Sequence, residues 1–531
     1  MARPTRFALP AQTRSRARAR CAPHRTRGFK AQLSRDPRRY NHPAVTEVAA
    51  VFIGEDGAPP CNRDLRVWPL AAERVENVAE QNECVDPLTY VLLFPGGLPG
   101  WHENLQHREE RRTATYQRLT ATQFYAHRLM IFDVDNPLPH SAGMLFQQYV
   151  VDVYCRAEAQ RLAYLRMHQD ELRAESYQEL RSAIDGAGFE AGATPVGRRV
   201  VLPSSYVGSP RAMHQNYLDA MTLVRHHGKP DLFITFTANP RWPEISKNLR
   251  PYETAVDRPD LMARVFHLKT KALLRDVVTL GVLGRVAAFT WVIEFQKRGL
   301  PHMHLLVILD PAWKIRSAQD VDRCVSAELP DASGGRQAEL AATVLRCQVH
   351  GPCGARKPLA PCMEHGACTK GYPRSFQDCT ELREGAYPAY RRRDDGRSAL
   401  KGEQPMDNRD VVPYNPLLSR KYDAHINVEV VSSVKAVKYL YKYSYKGHDR
   451  AELEATAHDE IAEHLDCRYV GPPEACWRLF QFPMYDKSHT IFRLALHLPD
   501  QQTLYFEPGQ EEAALAAPAA QQTTLTAWLR A

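Results

Sequence analysis

The sequence predicts an α+β protein, with an antiparallel sheet flanked by helices and preceded by a mixed N-terminal domain. The run "DLFITFT" is apolar and β-branched enough for a buried strand. The runs "RVAAFTWVIEFQ" and "PHMHLLVIL", separated only by "KRGL", form a hairpin. Segments of 3.6-residue periodicity surround these strands without the regular strand–helix alternation of a parallel sheet.

Taken in order, residues 39–100 are loop-rich, with short strand-like stretches such as "TYVLLFPGG". The stretch "GMLFQQYVVDVYCRAEAQRLAYLRMHQDELR" has helical periodicity throughout. Glycines near 187–200 suggest a linker. A helix then begins with Ser209 as N-cap and Pro210 at its first position, and stops at Gly228. After "DLFITFT" comes the turn-rich "ANPRWPE", another helix, and the hairpin; a further helix is expected near 435–445. A Cys-rich block at about 340–400 interrupts this domain. The expected division is a basic tail (1–39), an N-terminal domain (40–190), the sheet domain with its insertion (200–450) and a C-terminal extension (451–531).

A chain of 531 residues has room for two or three domains, and 44% hydrophobic with 24% charged residues is a globular composition. No apolar run approaches the roughly 18 residues of a membrane span, and no secretory leader is visible, so an intracellular protein is expected. The net charge of +8 is local: residues 1–39 hold 12 Lys/Arg against Asp36 alone, leaving −3 over the rest. That Arg-rich tail suits a solvated extension, nucleic-acid contact or nuclear targeting.

His302 and His304 alternate on a strand and therefore share a face, as do Glu294 and Gln296 on the preceding strand. If the hairpin closes through 297–300, two imidazoles meet a carboxylate or carboxamide. Such a mixed N/O set suits Mg²⁺ or Mn²⁺ acting on a phosphodiester, although an H-x-H pair alone also describes two ordinary core histidines.

In "SSVKAVKYLYKYSYKGHD", Val434, Val437, Tyr441 and Ser444 fall at helical spacing, with Tyr445 beside them. Tyr439 and Tyr443 then lie on the opposite face, flanked by Lys435 and Lys446. Two presented phenols beside cations could serve as nucleophiles toward a phosphate. Of the 12 cysteines, five crowd between 347 and 379; there His350, Cys353, Cys362 and Cys368 could close a zinc site, with Cys347 and His365 as substitutes. Trp242, and Tyr372 and Tyr390 near Arg391, Arg392 and Arg393, are candidates for stacking on unpaired bases while arginines hold phosphates.

Together these features resemble the HUH endonucleases of rolling-circle replication. They are closer still to the replication-initiator region of Helitron transposases, the Helitron helicase-like domain. The resemblance extends over "RRYNHPAVTEVAAVF", "DPLTYVLLFPGGLPGW", "VLPSSYVGSPRAMHQNYLDAM", "GKPDLFITFTANPRWPEI", "VIEFQKRGLPHMHLLVIL", "EGAYPAYRRRDDG", "VKYLYKYSYKGHD" and "PPEACWRLFQFPM". It implies an HUH-type antiparallel sheet with His302 and His304 as the metal-binding pair. It also implies Tyr439 and Tyr443 as two nucleophiles that cut single-stranded DNA at transposon ends and remain joined to the 5′ phosphate. Glu294 is preferred over Gln296 as third ligand for its charged oxygen, with register to decide. Full Helitron proteins continue into a helicase, whereas nothing here matches G-x-x-x-x-G-K-[ST], so no ATPase is expected and a separate helicase would be a partner. A nuclear location follows if the source is eukaryotic. The competing expectation is an inactive DNA-binding fragment of a decayed or domesticated transposon.

Overall fold

The computed structural model describes residues 50–51, 65–67, 76–113, 117–131, 138–167, 173–176, 202, 206–295, 299–383, 387–431, 469–492, 503–506, 510–517, 525–526 and 529. The elements that position the candidate site are helices α1 (Ala121–Arg128), α2 (Met144–Met167) and α3 (Pro210–His227), then strand β1 (Leu232–Thr237) and helix α4 (Pro259–Leu274). There follow the hairpin β2 (Val286–Phe295) and β3 (Pro301–Leu309), helices α5 (Ala318–Cys324), α6 (Gly335–Thr343) and α7 (Pro416–Tyr422), and strand β4 (Ile426–Val430). Helix α8 (Pro472–Leu479) and strand β5 (Tyr485–Lys487) complete the set.

Local chemistry accounts for much of this. In α3 the Ser209 hydroxyl accepts from the Ala212 amide at 3.0 Å, Pro210 occupies the first turn, and Gly228 at φ +87° ends the helix where a side chain would be strained. Helix α1 opens on a capping box between Thr120 and Gln123. The hairpin register pairs Glu294 with His302 and Phe295 with Pro301.

The five strands form one antiparallel sheet in the order β4-β1-β3-β2-β5. The histidine strand β3 is therefore central. Because side chains alternate across a strand, Met303, Leu305, Val307 and Leu309 face one side with Ile234, Phe236, Ile293, Ile426 and Val428. That side carries the main core, onto which α2, α4 and α8 pack. The other side presents Leu306 and Ile308 to α3 through Ala220 and Leu223. His302 and His304 continue that face past the end of the α3 contacts.

Several expectations change. "TYVLLFPGG" is not a strand: Val85–Thr89 is helical, and turns follow that bury Tyr90, Leu93 and Phe94 while leaving Val91 and Leu92 exposed. Its apolar residues follow a spacing of three and four, not two. The long helix is described to Met167, and Arg173 stands instead in a strand, Arg173–Ser176, paired with Thr503–Phe506. The segment between β3 and β4 runs over 310–425, longer than the Cys-rich block alone, and has a small core of its own around Leu340, Val344, Met406 and Tyr414. Elements on both sides of the expected boundaries near 190–200 and 450 share the main core, and β5 pairs with β2. The helix expected near 435–445 lies outside the described residues. No helix of the described residues is long and apolar enough to cross a membrane.

Candidate metal centres and nucleic-acid interface

Antiparallel register places a polar row across three strands: Asn427 of β4 opposes Thr235 of β1, which opposes His304 of β3. Thr237 opposes His302 in the next row of the same face. The His302 Nδ1 lies 2.8 Å from the Thr237 hydroxyl and the His304 Nδ1 3.2 Å from the Thr235 hydroxyl. Each imidazole is thus oriented through one nitrogen by a neighbouring strand, as metal-binding histidines generally are. From β2, Glu294 reaches diagonally, so that its Oε2 lies 2.9 Å from His304 Nε2, both groups being buried. Phe233 lies parallel to the His304 ring at 5.8 Å.

Donor spacing tests the fit to a metal. An octahedral ion with ligands at about 2.0–2.1 Å holds adjacent donors about 3 Å apart, close to the Glu294–His304 separation. His302 shares their face, one strand repeat away. Among the described residues, however, these three donors do not all converge as a compact group; the group that does so lies elsewhere. Gln296, Tyr439, Tyr443, Lys435 and Lys446 lie outside the described residues. The two threonines were the missed members of this cluster. Their signal was present in "FITFT", whose alternate residues must face a neighbouring H-x-H strand.

The compact group is the His350, Cys353, Cys362 and Cys368 set. Its four donor atoms all lie within 4.8 Å of one another, with Cys368 Sγ 3.3 Å from His350 Nε2. Tetrahedral zinc would separate such donors by about 3.5–3.8 Å. The chemistry of the donor set fits as well. Burial, followed by contact with the other two thiols, raises the Cys353 thiol, a strain that a bound cation would relieve by holding thiolates. Burial, then Lys401, lowers the His350 imidazole and keeps it in the neutral form a metal needs. This cluster could bind a metal such as zinc; Cys347 and His365 are not part of it.

The nucleic-acid candidates are placed differently from the expectation. Trp242 is a core residue, 1% exposed, packed with Phe236 and Phe266 and donating its Nε1–H to the Tyr422 carbonyl at 2.7 Å. It has no face for a base. Arg392 is buried and donates to the Ala327 and Asn408 carbonyls. Arg393 forms a two-pronged pair with Glu328, and Arg391 pairs with Asp322 and Glu328. These arginines stitch the insertion together. Tyr372 stacks on His350 at 4.4 Å, and the Tyr390 hydroxyl accepts from the Val430 amide.

Residues 124–307 match the family described as the Helitron helicase-like domain at N-terminus. The match runs from within α1 through the sheet and includes Glu294, His302 and His304. The chain therefore carries a Helitron helicase-like region, which points to a transposon-related function. No curated protein matches the chain.

Proposed function

We propose that the protein is a metal-dependent single-strand DNA nuclease and strand transferase of the HUH type, acting in rolling-circle Helitron transposition. The observation that carries this reading is the Glu294–His304 contact in a row of oriented histidines on the central strand, within a Helitron helicase-like region. His302, His304 and Glu294 would hold Mg²⁺ or Mn²⁺. When bound, the ion supplies Lewis-acid polarisation of the scissile phosphate.

The chain's own nucleophiles do the rest. The Oη of Tyr439 or Tyr443 forms a bond to the scissile phosphorus, the phosphorus–O3′ bond breaks, and the leaving 3′ oxygen takes up a proton. The protein then holds the 5′ phosphate as a tyrosyl ester. That ester conserves the bond energy for religation, and the second tyrosine allows a second transfer before the first end is released. The test is incubation with labelled single-stranded DNA and Mn²⁺. A labelled protein band surviving denaturing electrophoresis is expected; intact DNA with no such band contradicts the reading.

The second part of the proposal is that His350, Cys353, Cys362 and Cys368 hold a structural zinc ion. Purified protein should carry about one equivalent, Cys362→Ser should lose it, and the variant should melt at a lower temperature, because such binding energy is folding energy. Metal-free protein of unchanged thermal stability would remove the site.

A further inference from the structure

Between the polar edge of the sheet and the Cys-bearing insertion lies a cleft of about 1180 Å³. Thr235, Asn427 and Glu429 of β1 and β4 line it on the sheet side; Tyr372 and Gln377 line it on the insertion side. Asn427, Thr235 and His304 form one cross-strand row, so the cleft floor begins two strand spacings, about 10 Å, from His304.

Two polar atoms on this cleft are buried and without a hydrogen-bond partner: Asn427 Oδ1, an acceptor, and Gln377 Nε2, a donor. Leaving such groups unpaired costs about 1–3 kcal/mol each, so they mark places that a ligand can satisfy. Glu429 adds a carboxylate that accepts from Asn427 Nδ2 at 3.0 Å and has further lone pairs to offer. Burial raises that carboxyl, with the Asn427 amide opposing the effect, which favours an incoming donor. The lining thus offers two acceptors and one donor. Among the four DNA bases, only the Watson–Crick edge of guanine presents the complement: two donors, N1–H and the 2-amino group, beside one acceptor, O6. Tyr372 supplies an aromatic wall, and the exposed cations Lys357 and Lys370 on the rim suit phosphates.

We infer that this cleft is a base-recognition subsite for an unpaired guanine of the single strand, with Asn427 and Glu429 accepting from its N1–H and 2-amino group and Gln377 donating to O6. This rests on the reading of the protein as a single-strand DNA nuclease. It goes further by naming a specificity-determining site that neither the histidine pair nor the tyrosines provide.

The test is fluorescence anisotropy of the full chain with three labelled oligonucleotides, measured without added divalent ions. One is all thymidine, one carries a single central guanine, and one carries inosine, which lacks the 2-amino group, at that position. The guanine strand should bind about tenfold tighter than the thymidine strand, and inosine should lose most of the gain. Glu429→Gln, which preserves shape, and Gln377→Leu on the opposite wall should each abolish the preference while leaving thymidine affinity within about twofold. Equal affinity for all three strands in a protein that binds them overturns the guanine site and leaves the nuclease reading standing. No binding to any strand overturns both.

Discussion

Replacing His302 with alanine should lower cleavage of single-stranded DNA by on the order of a thousandfold while leaving affinity for the strand within about threefold. The asymmetry follows from where the side chain acts. A metal held by His302, His304 and Glu294 stabilises charge that develops in the transition state, whereas ground-state affinity comes from phosphate and base contacts spread over the strand. His302 suits the test better than His304, which is buried and lies parallel to Phe233, so that its removal would also disturb packing. Thr237→Val should lower cleavage less, because it removes only the hydroxyl that orients the His302 ring. Wild-type cleavage by the His302 variant, measured under single-turnover conditions, would return the histidine pair to an ordinary place in the sheet.

The Asp86→Ala substitution should cost about 3–5 kcal/mol of stability, read as a large fall in the urea midpoint. Asp86 is fully buried and accepts from Arg156 at 2.7 Å, from the Tyr125 hydroxyl at 3.2 Å, and from Tyr149 and Arg128 at 3.3 Å each. Its removal leaves the Arg156 guanidinium, itself buried, without its closest charged partner. Asp86→Ala combined with Arg156→Leu should recover part of the loss, since the stranded charge goes with it. Equal stability of the Asp86→Ala variant and wild type would mean that the network contributes nothing to holding α1 and α2 together.

What was legible in the sequence was local. Ser209, Pro210 and Gly228 each act on backbone within a turn of themselves, and they delimit α3 as chemistry requires. The hairpin followed from two β-branched runs and a short connection, and it carried the Glu294–His302 pairing with it. The four zinc candidates converge because the ligands fall within one short stretch of chain. What was not legible depends on pairing across long separations. β5 joins the sheet beside β2 nearly 200 residues away, and no periodicity announces such a partner. Trp242 sits among prolines in a stretch that reads as a surface turn, yet its indole N–H finds a carbonyl 180 residues on and the ring enters the core. The arginine run at 391–393 looked like a phosphate-binding surface because its partners, Asp322 and Glu328, lie some 65 residues upstream. Asn427 and Gln377 carry no signal alone; they become readable only once the sheet edge and the insertion face one another.

The most direct measurement of the central claim is mass spectrometry of the peptide that carries DNA after reaction with a labelled single strand and Mn²⁺. The account predicts a nucleotide ester on Tyr439 or Tyr443, and no adduct at all in the Tyr439→Phe/Tyr443→Phe double variant, which loses only two hydroxyls. An ester on Tyr441 or Tyr445, or an undiminished adduct in the double variant, would contradict it.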